Sequence, residues 1–259
     1  MLSKADIKRI RSLHQRKFRD LEGMFIAEGP KLVDELLRTH LSEIWIYHTS
    51  EWHPPAIQRG DVHLVEVTDK ELEQISAFDT ANRVLAVSAI PTASSYVVAP
   101  VNGLHLLLDR ISDPGNLGTM IRIADWFGID TVFCSLDTVE LYNPKVLQAT
   151  MGSAFRVNVR YVSLPELLMK NSQEASLPVF AAALGGDNLY DHQLAQDALL
   201  ILGNESRGLS PLLLPFVSAS LSIPAYQAGS RKGHAESLNV AVATGVLCAE
   251  FKRRFGKPA

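Results

Sequence analysis

The chain has 259 residues, of which 47% are hydrophobic and 20% charged, and a formal net charge of −3. That balance fits a globular protein of one large or two ordinary domains, and no apolar run reaches the roughly eighteen residues of a membrane span. The start, Met-Leu-Ser-Lys, turns charged without the apolar stretch of a secretory signal; Cys134 and Cys248 stand far apart among apolar neighbours, so a reduced, cytoplasmic protein without disulfide or metal is expected.

Residues 1–19 set Lys4, Lys8, Arg9, Arg11, Arg16, Lys17 and Arg19 against Asp6 alone. A helix is predicted from Ala5 to Arg19 with Ile7, Ile10 and Leu13 inward. Its basic side reads either as a phosphate-backbone contact or as a solvated face. Gly23 ends it. A strand follows at Met24–Ala27, and Gly29-Pro30 opens a helix over Lys31–Arg38. Strands are expected at Glu43–Tyr47 and Val62–Val67, a helix capped by Asp69 runs through Ile75, and Val84–Ile90 is a further strand. This order over residues 1–90 resembles the small L30e-like α/β folds of ribosomal proteins.

Residues 91–100 have the proline-bounded, small-residue composition of a linker. Beyond it, residues 101–259 alternate strands and helices. Strands are predicted at Leu104–Leu108, Thr131–Cys134, Val157–Val162, Val179–Ala183 and Ala198–Leu202. Helices are predicted at Asn116–Gly128, Pro144–Met151 and Glu236–Arg254. Strands apolar on both faces imply a parallel sheet covered on two sides.

Three segments carry more chemistry than such a sheet needs. Asp113-Pro114-Gly115-Asn116-Leu117-Gly118 turns from strand to helix, with Asn116 as its expected cap and Arg122 about one and a half turns in. Gly203-Asn204-Glu205-Ser206-Arg207-Gly208 follows the apolar strand ending at Leu202, at the carboxyl edge where α/β sheets bind ligands. Glu205 could anchor Arg122 or another cation, or simply answer a helix dipole. Ser222-Ile223-Pro224 precedes a polar loop and then Ser237-Leu238-Asn239, where Ser237 serves as cap and Asn239 is left to point into a site.

In this order the three segments resemble the SpoU (TrmH-like) branch of the SPOUT methyltransferases, over roughly residues 103–254. Phe25-Ile26-Ala27-Glu28-Gly29 is similar to the small substrate-binding domain that many members carry. The resemblance implies a parallel-sheet α/β domain with a deep trefoil knot, and a homodimer whose site draws on both chains. It also implies transfer of a methyl group from S-adenosylmethionine to a ribose 2′-hydroxyl of RNA. Cofactor contacts would fall at Gly203, Ile223 and Leu238, and the catalytic set at Asn116, Arg122, Glu205, Ser237 and Asn239. Arg122 would act as the base, or stabilise a developing oxyanion. The added N-terminal domain favours ribosomal over transfer RNA as substrate.

One departure from the family lies between Pro224 and Ser237. Residues 225–236 make a loop about twice the usual length, with Ala225 where methionine is customary. Its basic, glycine-rich sequence fits an RNA contact, a lid or a surface insertion. A different class of reading, an RNA-binding or ribosome-assembly factor that lost methyl transfer, has against it the retention of all five polar site residues. A dinucleotide-dependent oxidoreductase is excluded by the absence of Gly-x-Gly-x-x-Gly after a strand.

Overall fold

The computed structural model describes residues 1–55, 59–78, 80–91, 100–226 and 236–256. The expected linker, 91–100, lies mostly outside the described residues. The chain forms two compact units, one of residues 1–93 with 140–155, the other of 94–139 with 156–259.

The first unit opens with two helices where one was expected, α1 (Lys4–Ser12) and α2 (Arg16–Glu22). The break at Leu13–Gln15 turns Leu13 into the core while Ser3 and Asp6 close a capping box on α1. After them come β1 (Met24–Glu28), α3 (Pro30–Leu37), β2 (Ile44–His48), β3 (Val62–Glu66), α4 (Asp69–Ile75) and β4 (Val84–Ala89). The strand order is β1-β4-β2-β3, with only the β2–β3 pair parallel. Thr68, not Asp69, caps α4: its hydroxyl accepts from the Glu71 N–H, and Glu71 reaches back. Asp69 is left in the first turn, where the helix dipole favours it.

The second unit begins with β5 (Leu104–Leu108), α5 (Pro114–Trp126) and β6 (Thr131–Cys134). The chain then supplies α6 (Pro144–Thr150) to the first unit, where Leu147, Tyr142 and Phe155 share a core with Phe25, Leu36 and Ile44. It returns as β7 (Asn158–Tyr161), α7 (Leu164–Glu174), β8 (Val179–Asn188), β9 (Ala198–Leu202), β10 (Ala219–Ser222) and α8 (Val240–Phe255). The six strands are all parallel, in the order β10-β8-β9-β5-β6-β7. Leu104, Leu106, Leu107, Leu108 and all of β9 are buried, so the two central strands are covered on both faces. α7 packs its Leu164, Leu167 and Leu168 on one face with Leu107 and Ile201. On the other, α5 packs with α8, whose Phe251 meets Phe180 of β8 edge-on at 5.7 Å.

The last turn of α8 is fastened by Arg254. Its guanidinium donates to the carbonyls of Leu189, Tyr190 and His192 at 2.6–3.0 Å and to the Glu250 carboxylate at 2.7 Å. Arg253, then Arg254, hold the Glu250 carboxyl down at about 2, against an ordinary value of 4.5. A depressed carboxyl contributes stability above its unfolded value and loses it as pH falls towards the folded one. Glu250→Gln should therefore lower Tm by a constant amount above pH 5, roughly the unfolded carboxyl range. The difference should shrink as the pH approaches 2; a gap that persists in acid would refute the pairing.

Candidate active site

The first segment leaves the carboxyl end of β5. Asp113, not Asn116, caps α5: its carboxylate accepts the Asn116 N–H at 2.7 Å, and Pro114 takes the first helical position. Proline has no N–H to satisfy there, which is why the helix starts two residues before Asn116. With capping done by Asp113, the Asn116 side chain is released for other partners.

The third segment reverses the expected assignment in the same way. Asn239 is the cap of α8, its Oδ1 accepting from the N–H groups of Ala241 and Val242 at 2.9 and 3.3 Å. Ser237 and Leu238 lie exposed ahead of the helix, which starts at Val240 rather than Glu236.

These caps fix the orientation of every amide. Because the Asn239 oxygen takes two N–H groups, its Nδ2 must face outward, where it donates to Asn116 Oδ1 at 2.9 Å. Asn116 Nδ2 then donates to the Glu205 carboxylate. The relay Asn239–Asn116–Glu205 joins all three segments, which lie far apart in the chain. Glu205 thus binds Asn116 and not Arg122. Arg122 is exposed on α5 and has no hydrogen-bond or ion-pair partner among the described residues.

The second segment is a turn closed by mutual backbone bonds between Asn204 and Gly208, so Glu205 stands at no helix N-terminus. The Asn204 side chain shapes it, accepting from the N–H groups of Ser206 and Arg207 and donating to the Arg110 carbonyl. A Cβ on Gly203 would lie 2.6 Å from the Gly208 carbonyl carbon, so only glycine lets the turn fold back on its strand. Beside it, β8 runs to Asn188 instead of ending at Ala183. Its pairing with β10 jumps from Ala181 to Asp187, throwing Ala182–Gly186 out of the ladder. Gly186 returns so close to Ser220 that a Cβ would stand 2.5 Å from its carbonyl. Ile223, half-buried, follows the end of β10. At this edge of the sheet glycine backbone and strand ends come together, an arrangement that would suit a cofactor held by main-chain groups. Most of the long loop, residues 227–235, lies outside the described residues.

No cysteine nucleophile is available here. Burial pushes the Cys248 thiol up to about 12 and the Cys134 thiol higher still. Among the described residues no cluster of three or more His, Cys, Asp or Glu could hold a metal, and no helix is long and apolar enough to cross a membrane.

Residues 103–249 match the model of the SpoU rRNA methylase family. The chain belongs to that family. Residues 4–86 match the MRM3-like substrate-binding domain. The 23S rRNA guanosine-2′-O-methyltransferase RlmP of Bacillus subtilis is 31% identical over 93% of this chain and 93% of its own length. Among solved structures, a TrmH-family protein from Porphyromonas gingivalis superposes with a TM-score of 0.83 at 37% identity, covering 98% of this chain and 99% of its own. An rRNA methyltransferase from Sinorhizobium meliloti, solved with AdoMet bound, gives 0.81 at 29% identity over 98% and 97%. In this SpoU-family chain, sequence reasoning missed Asp113 as the cap, Asn204 as the organiser of the turn, and the Ala182–Gly186 excursion. Gly185-Gly186 was the available signal for the last.

Proposed function

We propose that this chain transfers a methyl group from S-adenosylmethionine to a ribose 2′-hydroxyl of ribosomal RNA. The observation that carries the reading is the Asn239–Asn116–Glu205 relay, which orders three distant segments around one edge of the parallel sheet. When bound, the cofactor supplies an electrophilic sulfonium methyl, so the protein's share of the work is alignment and the hydroxyl proton. Gly203, Ile223 and Leu238 would hold the cofactor by their backbone, within the trefoil knot that the family carries. Arg122 would face the reacting oxygen; a guanidinium keeps its charge, which suits it to stabilise a developing alkoxide. Glu205, Asn116, Ser237 and Asn239 would orient the ribose. Residues 1–90 would bind the RNA, residues 91–100 would link them to the methyltransferase domain at 101–259, and the enzyme would work in the cytoplasm.

The same reading includes a homodimer through the C-terminal domain. Trp126 at the end of α5 is 84% exposed and Val242 on α8 54%, an apolar surface on two helices that pack together. Trp126→Glu should convert the dimer to a monomer by light scattering and abolish transfer; an unchanged mass would count against it.

The deciding experiment incubates the protein with ribosomal RNA and labelled S-adenosylmethionine, then maps 2′-O-methyl positions. Transfer to one ribosomal nucleotide supports the proposal. Transfer to transfer RNA alone would reassign the substrate, and cofactor binding without transfer to any RNA would indicate an RNA-binding factor on this fold.

A further inference from the structure

We propose that Arg110 is a positioning residue for methyl transfer, pinning the Asn204–Gly208 turn and through it Glu205. The inference rests on the reaction proposed above, and it starts from backbone geometry. Arg110 follows Asp109 at the carboxyl end of β5 and has φ +58°, the left-handed region that glycine enters freely and side-chain-bearing residues avoid. Such a conformation persists where the surroundings over-determine it.

Here they do. The Arg110 N–H donates to Ser135 Oγ at 2.8 Å, and Ser135 in turn donates to Asp137. The Arg110 carbonyl accepts from Asn204 Nδ2 at 2.9 Å. The guanidinium then spans two groups, with Nη2 3.3 Å from the Asp109 carboxylate and donating to the Gly208 carbonyl at 3.2 Å. Asp109, buried, also accepts the Ser210 N–H at 2.7 Å. Both ends of the turn are thus tied to residues 109–110: Asn204 by the peptide carbonyl, Gly208 by the side chain, and Ser210 just beyond by the carboxylate. Glu205 sits on the tip of that turn, itself exposed, and is the acceptor that ends the amide relay. A residue kept against its backbone preference, with its side chain across the turn that carries Glu205, has a task that glycine in the same place could not perform.

That contrast defines the test. Arg110→Gly relieves the backbone strain and removes the clamp together. Relief of the strain offsets only part of the cost of leaving buried Asp109 without its counter-charge. The expected result is amide hydrogens of residues 204–208 exchanging at least about tenfold faster, with those of β5 and β9 within about twofold of the parent's. The kcat for methyl transfer should fall at least about tenfold, with the KM for RNA within about twofold. Arg110→Lys, which retains a charged donor but not the forked guanidinium, should fall between. A purely structural arginine would instead speed exchange across β5 and β9 in step with lost activity; that outcome, or exchange at 204–208 equal to the parent's, overturns the proposal. Should the parent protein transfer no methyl group, exchange that still depends on Arg110 would count against the reaction and uphold the clamp.

Discussion

Replacing Arg122 by alanine should reduce the rate of methyl transfer by about 10²–10³-fold, the usual loss when one group that stabilises developing charge is removed. The thermal midpoint should not move. Arg122 is exposed, and its removal breaks no hydrogen bond or ion pair among the described residues. The combination of large kinetic and negligible stability effects separates Arg122 from Asn239. Asn239→Ala removes a helix cap as well as the relay, and should lower stability by about 1 kcal/mol in addition to slowing the reaction. Arg122→Lys keeps the charge and cannot by itself distinguish a base from a stabiliser of negative charge. The pH–rate profile does so: a base contributes an inflection between about pH 6 and 10 that vanishes in Arg122→Ala. A permanently charged guanidinium contributes none. A fall in rate of less than about tenfold in Arg122→Ala would remove this residue from the catalytic set.

Five of the sheet's six strands, all but β10 (Ala219–Ser222), and the three segments were legible in the sequence because both are local signals. Short apolar runs bounded by turn residues, such as Ala198–Leu202, fit doubly covered strands, and polar residues massed after them fall at the edge where α/β sheets bind ligands. It was less informative where two residues of one type compete. Asp113 and Asn116 are both good caps, as are Ser237 and Asn239, and only Pro114 at the first helical position signalled which of the first pair wins. α7 was missed although Leu164, Leu167, Leu168 and Asn171 have the helical spacing. The relay itself was not readable. Asn116, Glu205 and Asn239 are brought together by sheet order, and nothing adjacent to any of them in the chain encodes the other two. The placement of residues 140–155 in the first unit is non-local in the same sense.

Glu140→Ala should destabilise the first unit by roughly 3–5 kcal/mol, because it leaves a buried guanidinium without its counter-charge. The Arg19 side chain is 2% exposed; it pairs with Glu140, 121 residues away, and donates to the Leu13 carbonyl. Its Nε has no partner among the described residues, so the pair is incompletely satisfied. An incompletely satisfied buried pair gives up little when both partners become apolar together, so Arg19→Met with Glu140→Leu should recover most of the loss. Urea unfolding of the single and double variants measures this; a double variant as unstable as Glu140→Ala would refute it. The cycle also bears on how the RNA-binding role proposed for residues 1–90 can be tested. Deleting them strips Leu147 and Phe155 of Phe25, Leu36 and Ile44, the residues they pack against in the same core. Lost activity in such a deletion would report exposed apolar surface as readily as lost RNA contacts. Charge reversals on exposed residues of α1, such as Lys4→Glu and Lys8→Glu, leave that core intact. They should weaken RNA binding and lessen its dependence on salt if the basic helix meets phosphate, and change neither if it is only a solvated face.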